Sequence, residues 1–397
     1  SATGNYVGGL VGRLQMENGN QIVNNASATG NVTSSGIYVG GLIGSHEDGQ
    51  TISNATATGD VSTAGDYVGG LVGRTRASIT NATASGEVTT NGQRVGGLVG
   101  YLDAYSDEEV RTVTATGNVS AGGQYVGGLI GYVDRSGTNA QYHEVAMSDA
   151  HATGNVTTTY AGASNAYVGG LVGRFRDSKH VSDVSATGDV TSESGNEVGG
   201  LIGRLRQDST AYDLRNASAT GDVTTTGQKV GGLIGYHTGG SVETSYARGN
   251  VSTDGDYVGG LIGQSTNLVA DSYARGDVTS SGDEVGGLVG RHGDEAIRVY
   301  ASGRVEGGST VGGIVGSNGG TLSDAYWDKG ATNQTTATGS GPSEGATGYG
   351  TVGDSRALKM QGRAPTTFMK SLNYTSPWKL TSTYPVFQRE SNTTEPS

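Results

Sequence analysis

The sequence predicts an all-β fold: a parallel β-solenoid (β-helix) of about eleven coils with a C-terminal capping region. Three observations carry this prediction: a glycine-rich phrase that recurs at a nearly fixed interval, a second phrase that keeps step with it, and a composition that suits thin layers. An interval of roughly 20 to 50 residues is typical of solenoids, propellers and other repeat arrays. Because each unit alone buries too little surface, such arrays are stabilised by stacking between neighbours.

The glycine-rich phrase is clearest at residues 67–74 and 167–174, which both read YVGGLVGR. Its first glycine recurs at intervals of 26 to 32 residues, with one of 42 that indicates an inserted loop, at Gly8, Gly40, Gly69, Gly96, Gly127, Gly169, Gly199, Gly231, Gly259, Gly286 and Gly312. Eleven copies without the Lys and following helix of a phosphate-binding loop exclude a nucleotide site. We expect Gly40 and Gly41, and their equivalents, to form a bend where a Cβ atom would clash or φ must be positive.

The second phrase, ATGNV or ATGDV in most copies, recurs once per interval from Ala28 onward. Read as a strand, its Ala, Gly and Val face the core and alternate with an outward Thr and Asn or Asp. We expect three short strands per coil, formed by this phrase, the glycine phrase and a segment such as residues 50–56. Eleven coils stacked about 4.8 Å apart would form a rod about 50 Å long. Helical repeats are disfavoured, because each helical Gly costs about 1 kcal/mol.

Composition narrows the possible functions. Gly accounts for 72 of 397 residues, and the absence of Cys excludes a disulfide framework. A formal net charge of −12 disfavours nucleic acid and anionic membrane surfaces as partners. No apolar run is long enough to insert into a membrane. Only six of the 25 basic residues are Lys, and acid excess of this kind suits a halophilic habitat.

The composition changes near Tyr326, after which all five Pro and both Trp occur. We expect residues 1–325 to form the repeats, residues 326–390 to cap the unpaired strand edges of the last coil, and residues 391–397 to form a tail. At the other end we expect an uncovered assembly edge that can template a strand of another chain. Its residues are Ser1, Ala2, Thr3, Gly4, Asn5, Tyr6 and Val7.

In the first ten copies, the residue two positions before the Gly-Gly phrase forms a single column in a parallel stack. Its members are Tyr6, Tyr38, Tyr67, Arg94, Tyr125, Tyr167, Glu197, Lys229, Tyr257 and Glu284. We expect the Tyr rings to stack, Arg94 to lie between Tyr67 and Tyr125, and Glu197 to pair with Lys229. The alternative is an aromatic strip that binds sugar rings.

No residues are predicted to be catalytic, and no cofactor is expected. The inserted loop brings together His143, Glu144, Asp149 and His151, which are candidate metal ligands, although a solvated surface cluster is the preferred interpretation. Asp103 and the acidic run at 107–109 are candidate oxygen ligands for a surface calcium ion, again weaker than a solvated charge run.

Sequons for asparagine-linked glycosylation recur because the repeat spells them, and some are expected to carry glycan. The candidate residues are Asn25, Asn31, Asn54, Asn81, Asn118, Asn155, Asn216, Asn250, Asn333, Asn373 and Asn392. An RGD tripeptide at 275–277 occupies the slot of the second phrase, so a strand residue is preferred over an adhesion motif.

The phrases VGGLVG, SYARGNV at 245–251 and AYWDKG at 325–330 resemble the GLUG-motif repeat proteins of bacteria and archaea. The resemblance runs from Ser1 to about Phe387. It implies an extracellular or surface-attached protein, often adhesin-like, and implies no catalytic residues.

These observations favour a non-enzymatic surface rod that assembles end to end into a fibre. Its expected partners are other copies, cell-surface proteins or glycans. The alternative is a polysaccharide-binding or polysaccharide-lyase β-helix, in which Asp189, Asp222, Arg248 and Asp277 would line one face.

Overall fold

The chain forms a stack of turns with four parallel β-sheets as its sides, and we name the sheets A to D in the order in which each complete turn visits them. The computed structural model describes residues 2–15, 23–47, 50–104, 106–135, 144–162, 166–176, 178–207, 209, 211–353, 360–361 and 365–390. We count a turn from its sheet A strand, so that turn 1 begins at Val32 and turn 10 at Val305. Ten turns are complete, and residues before Val32 form a partial turn.

Each sheet collects one segment of every turn. Sheet A consists of Val32–Ser34, Val61–Thr63, Val88–Thr90, Val119–Ala121, Val156–Thr158, Val190–Ser192, Val223–Thr225, Val251–Thr253, Val278–Ser280 and Val305–Glu306. Sheet B consists of Tyr6–Gly8, Tyr38–Gly40, Tyr67–Gly69, Val95–Gly96, Tyr125–Gly127, Tyr167–Gly169, Glu197–Gly199, Val230–Gly231, Val258–Gly259, Val285–Gly286 and Val311–Gly312.

Sheet C consists of Val11–Leu14, Ile43–His46, Val72–Thr75, Val99–Ala104, Ile130–Arg135, Val172–Arg176, Ile202–Arg206, Ile234–Thr238, Ile262–Ser265, Val289–His292, Val315–Asn318 and Thr338–Ser340. Sheet D consists of Val23–Asn24, Ser27–Ala28, Ile52–Ala57, Ile79–Ala84, Glu108–Ala115, Val145–Ala152, Ser178–Ala186, Asp213–Ala219, Ser241–Glu243, Tyr246–Ala247, Val269–Ala270, Tyr273–Ala274, Glu295–Ala301, Thr321–Asp328 and Ala346–Tyr349.

The remaining elements are short. Two helices span Lys329–Thr332 and Pro365–Phe368, and Trp378–Lys379 pairs with Val386–Phe387 in an antiparallel hairpin.

The predicted fold class is confirmed, and equivalent residues stack directly on one another. Tyr38 pairs with both Tyr6 and Tyr67 in sheet B, and Val61 pairs with Val32 in sheet A. The eleven glycine phrases correspond to the eleven strands of sheet B, although only ten turns are complete.

The expectation of three strands per coil is wrong, because each turn has four. The phrase ATGDV is not one strand: the sheet D strand ends at Ala57, and the sheet A strand begins at Val61. Gly59 lies at this corner, where a Cβ atom would come within 2.2 Å of the carbonyl oxygen of Gly30 in the turn below. The corner therefore requires the glycine that the phrase repeats.

Two narrow cores fill the solenoid. Leu, Ile, Val and Ala side chains of sheets C and D form the larger core, and a Val column from each of sheets A and B forms the smaller one. Sheets B and C meet backbone to backbone. A Cβ atom on Gly40 would lie 2.7 Å from the carbonyl oxygen of Leu71, and one on Gly44 would lie 2.9 Å from that of Tyr38. The predicted clash is confirmed, but these glycines do not have the positive φ that we allowed for.

The C-terminal region has two parts that pack against different surfaces of the solenoid. Trp327 and residues 334–349 cover the end of the stack: the indole packs over Gly313, and Thr338–Ser340 pairs with Val315–Asn318. Residues 365–390, which we call the strap, instead lie along the side of sheet D. The expected shielding of the last coil therefore describes only the first part, and the boundaries at 325 and 390 stay predictions.

Candidate interaction surface

The column that precedes the Gly-Gly phrase runs along the outer face of sheet B as predicted. The ring centroids of Tyr6 and Tyr38 are 5.0 Å apart, and those of Tyr38 and Tyr67 are 4.7 Å apart. The Arg94 guanidinium carbon lies 4.9 Å from the ring centre of Tyr67 and 5.4 Å from that of Tyr125. The predicted arrangement of these residues is therefore confirmed.

A second column, which the sequence analysis missed, lies beside the first on sheet C. It begins at the Arg that closes the phrase VGGLVGR and includes Arg74, Tyr101, Tyr132, Arg174, Arg204 and Tyr236. The two columns interlock: Tyr125 stacks on Tyr132 at 4.7 Å, and the Arg174 guanidinium carbon lies 4.9 Å from the ring centre of Tyr167. Together they form a stripe of alternating aromatic and cationic groups.

The aromatic faces of the stripe are covered by other residues of the same stripe. The residues Tyr132 and Tyr167 are only 6% and 7% exposed, because neighbouring turns cover their rings. Burial also raises the pKa of Tyr101 and Tyr132, which keeps both phenols neutral. A sugar ring needs an open aromatic face on which to stack, so this geometry favours the structural interpretation of the column.

Buried carboxylates lock the stripe at two places. Glu197 is 1% exposed, and its Oε1 lies 3.5 Å from both Arg204 Nη1 and Lys229 Nζ. The predicted pairing of Glu197 with Lys229 is therefore confirmed. Burial raises the pKa of Glu197, although both cations act in the opposite direction. Asp103 accepts hydrogen bonds from Arg74 and, at 3.1 Å, from Arg76.

The candidate calcium ligands therefore have other partners. Asp103 is held by two Arg side chains, Glu108 accepts a hydrogen bond from Ser78 at 2.7 Å, and Glu109 pairs with Arg111 at 3.1 Å. Among the residues that the structure describes, no group of three or more His, Asp or Glu side chains is arranged to hold a metal ion. Surface calcium stays a prediction.

The other metal candidates separate along one strand. Asp149 Oδ1 lies 3.1 Å from His151 Nε2, and Nδ1 of the same ring lies 2.8 Å from the Ser185 hydroxyl. Glu144 lies further back, before the strand Val145–Ala152, where it accepts a hydrogen bond from Tyr212 at 2.6 Å. His143 lies outside the described residues.

The outer corner between sheets D and A carries what we call the ladder column. Its members are Asn31, Asp60, Glu87, Asn118, Asn155, Asp189, Asp222, Asn250, Asp277 and Arg304. In most turns the Oδ1 atom accepts a hydrogen bond from the backbone N–H of the next member; for Asp189 and Asp222 this distance is 2.9 Å. Because one oxygen suffices, Asn and Asp are interchangeable, which explains the N-or-D position of the phrase.

Sheet D contains a second column, which we call the arc column, where every backbone is left-handed. Its φ values lie between 44° and 56° at Asn25, Asn54, Asn81, Thr112, Asp149, Asp183, Asn216, Thr244, Asp271, Arg298 and Asp324. Asn and Asp tolerate this conformation better than other side chains, so their frequency here has a backbone cause. The sequence analysis did not predict the left-handed backbone at this column, because it interpreted the recurring Asn residues as sequons.

The proposed lyase residues do not form a catalytic group. Asp189, Asp222 and Asp277 belong to the ladder column, whereas Arg248 lies under the strap with the Tyr273 hydroxyl and Glu390. The Arg of the RGD tripeptide, Arg275, lies 5.0 Å from the ring centre of Tyr384 in the strap. Its packing supports the interpretation as a structural residue.

Ten of the eleven sequon residues are described, and nine of them are exposed; Asn216 is half-buried. Asn392 lies outside the described residues. All eleven stay predictions as glycosylation sites.

At the expected assembly edge, the strand Tyr6–Gly8 pairs with Tyr38–Gly40 and Ala2 bridges Ser34. Ser1 lies outside the described residues.

The comparisons with known proteins agree with the repeat architecture. The family model of the GLUG motif matches residues 35–62, 64–89, 91–120 and 226–252. The chain therefore contains GLUG-motif repeats in these four segments. It is similar to halomucin from Haloquadratum walsbyi, with 69% identity over 400 residues that cover 99% of this chain and 4% of halomucin.

The chain thus spans a small fraction of that relative's length. No solved structure matches it. Within the described ranges, no helix is long and apolar enough to cross a bilayer.

Proposed function

We propose that this chain is a non-enzymatic structural module, a rigid rod that belongs to an extracellular, adhesin-like cell-surface protein. The observation that carries the proposal is the in-register stacking of ten turns through four sheets of 10 to 15 strands. A stack of this kind is rigid, because each interior turn is hydrogen-bonded to both neighbours on four sides. The aromatic and cationic stripe adds a further inter-turn contact along its length.

The relative supports a surface role by its name, since halomucin denotes a mucin of a salt-loving organism. The net charge of −12 fits the same setting, because high salt screens the repulsion between like charges. The chain corresponds to 4% of halomucin, so we propose a role for this module and not for a whole protein.

Fibre assembly by end-to-end stacking is the less favoured form of the proposal. Such a polymer needs two open and complementary ends. Among the described residues, the C-terminal end of the stack is covered by Trp327, whose Nε1 donates to the carbonyl oxygen of Gln334 at 3.0 Å. A second copy would have to displace this cover before its strands could pair there.

Electron microscopy and small-angle scattering of the purified chain test the proposal. We expect single rods about 50 Å long at all concentrations, and no turnover of uronic-acid polymers. Globular particles would contradict the rod, growing fibres would restore end-to-end assembly, and reproducible cleavage would establish the lyase alternative.

A further inference from the structure

The sequon residues divide into two structural classes. Asn31, Asn118, Asn155 and Asn250 belong to the ladder column, and Asn25, Asn54, Asn81 and Asn216 belong to the arc column. The tripeptides look alike in sequence, so the difference is visible only in the fold. We propose that the ladder sites accept an N-linked glycan in the folded rod and that the arc sites Asn54, Asn81 and Asn216 stay bare.

In the ladder class, the amide oxygen and the amide nitrogen have separate tasks. Oδ1 of Asn118, Asn155 and Asn250 accepts the backbone N–H of the next turn at 2.9 Å in each case. Within the described part of the chain, Nδ2 of these three residues has no hydrogen-bond partner, whereas Nδ2 of the fourth, Asn31, makes a long contact of 3.4 Å with Asp60 Oδ2. A substituent on Nδ2 therefore leaves the inter-turn hydrogen bond in place.

The hydroxyl that completes each ladder sequon is also on the outer face. Thr33, Ser120, Thr157 and Ser252 follow at the second position and form one column of sheet A with other Ser and Thr residues. Because strand side chains alternate, the Asn and this hydroxyl face solvent together while the Val between them is buried. Both groups that define the sequon are thus presented on one accessible face.

In three of the four arc residues, Nδ2 holds the turns together. Nδ2 of Asn54 donates to Asn24 Oδ1 at 2.8 Å, Nδ2 of Asn81 donates to Asn54 Oδ1, and Nδ2 of Asn216 donates to Asp183 Oδ1 at 3.1 Å. A glycan on Nδ2 would have to occupy the space between stacked side chains of adjacent turns. Transfer there opposes the stacking that folds the rod.

The chemistry is ordinary glycosyl transfer from a lipid-linked phosphate donor. A bond forms between Nδ2 and C1 of the sugar, the C1–O bond to phosphate breaks, and the phosphate leaves with the electron pair. Nδ2 releases one proton. No oxidant or metal on this chain is required.

Two Asp residues allow a matched experiment, because each precedes Val-Ser. Asp60→Asn creates the sequon Asn-Val-Ser in the ladder column, and Asp183→Asn creates the same tripeptide in the arc column. Both columns already contain Asn in other turns. Asp60→Asn removes only the long, exposed contact with Asn31 Nδ2, so neither substitution should disturb folding. An unfolded chain would present the two new sequons identically.

The chain and both variants would be secreted from a host that attaches N-linked glycans, with a second glycoprotein as a reporter of transfer. Site occupancy would be measured by enzymatic deglycosylation in heavy-oxygen water and peptide mass spectrometry, and melting curves would confirm folding. We expect occupancy at position 60 to exceed that at position 183 by roughly five-fold or more, in keeping with one inter-turn hydrogen bond.

Occupancy at the natural ladder sites should likewise exceed that at Asn54, Asn81 and Asn216. Equal occupancy at positions 60 and 183, higher occupancy at 183, or bare ladder sites beside a glycosylated reporter would each overturn the inference. The inference rests on the extracellular location proposed above. Because the rod is tested without glycan, the two proposals can fail separately.

Discussion

On the outer side of sheet D, the first six turns and the last four carry different residues at one equivalent position. Turns 1 to 6 place Thr, His or Ser there, at Thr56, Thr83, Thr114, His151, Ser185 and Ser218. Turns 7 to 10 place Tyr246, Tyr273, Tyr300 and Tyr326 there. Only these four turns are covered by the strap within the described residues, so one Tyr per turn converts a bare repeat into a docking surface.

Polar contacts fix the strap on this tyrosine surface. The Tyr300 hydroxyl donates to the carbonyl oxygen of Pro385 at 2.5 Å, and the Tyr273 hydroxyl donates to Glu390 at 2.9 Å. Arg248, which replaces the Thr of the usual phrase ATG, pairs with the same Glu390. The phrase SYARG thus places a Tyr and an Arg at the two positions that contact the strap.

The largest expected effect comes from emptying the strap's aromatic centre. Trp378 is fully buried, and its ring centroid lies 5.9 Å from that of Tyr273 and 5.8 Å from that of Tyr300. Trp378→Ala should lower the free energy of unfolding by about 4 kcal/mol, because it leaves a cavity over the tyrosines. Chemical denaturation measures this change.

Thr83→Ala is the matched control at the equivalent position of a bare turn, where Thr83 is exposed. It should change the free energy of unfolding by less than about 0.5 kcal/mol. Equal effects of the two substitutions would show that the strap adds no stability.

Acid should weaken the strapped turns next. His237 in turn 7 and His292 in turn 9 lie in the core, and burial lowers the pKa of His237 to about 4 and also lowers that of His292. The unfolded chain binds these protons at a higher pH than the folded chain, so stability is lost as pH falls from about 6.5 to 4.

For His237 alone the loss approaches about 3 kcal/mol at the lower end of that range. Denaturation midpoints between pH 4 and 7 would record it, and His237→Leu, which uses the residue type found at Leu205 of the same column, should flatten the profile. A wild-type profile that stays flat across this range would contradict the assignment.

A smaller effect should distinguish interior glycines from the glycine of the first corner. A Cβ atom on Gly70 would lie 2.1 Å from the carbonyl oxygen of Gly97, whereas one on Gly30 would meet nothing within 4 Å. We expect Gly70→Ala to lower the free energy of unfolding by about 2 kcal/mol through backbone displacement. Gly30→Ala should change it by less than about 0.5 kcal/mol. Denaturant titration of both variants would reveal whether close approach, rather than glycine content, holds the bare turns together.

The stacked architecture could be read from the sequence because it is local and repeated. A fixed interval, a glycine phrase and a column of Tyr, Arg94 and the Glu197–Lys229 pair suffice to place equivalent residues on top of one another. The fourth strand was missed because the phrase ATGDV alternates apolar and polar residues as a single strand does. In the structure the chain turns a corner at Gly59 and its equivalents, so the phrase belongs to two strands.

The strap could not be predicted, because its contacts join segments that are far apart in the chain and share no repeat. Arg248 and Glu390 are 142 residues apart, and nothing in either segment alone indicates the pairing. The Tyr of SYARG was a readable signal, since a large aromatic residue replaces Ser or Thr on an otherwise polar face.

Cysteine cross-linking tests the central claim, that the glycine phrases stack successive turns in parallel and in register. The chain contains no Cys, so a pair introduced at Ser62 and Thr89, which are register partners in sheet A, reports on that contact alone. Strands about 4.8 Å apart bring the two Cα atoms within the range of a disulfide, whereas Ser62 and Thr157 lie three turns apart, about 14 Å. We expect mild oxidation to cross-link S62C/T89C within the monomer and to leave S62C/T157C reduced. No cross-link in the first pair, or equal cross-linking in both, would contradict the stacked solenoid.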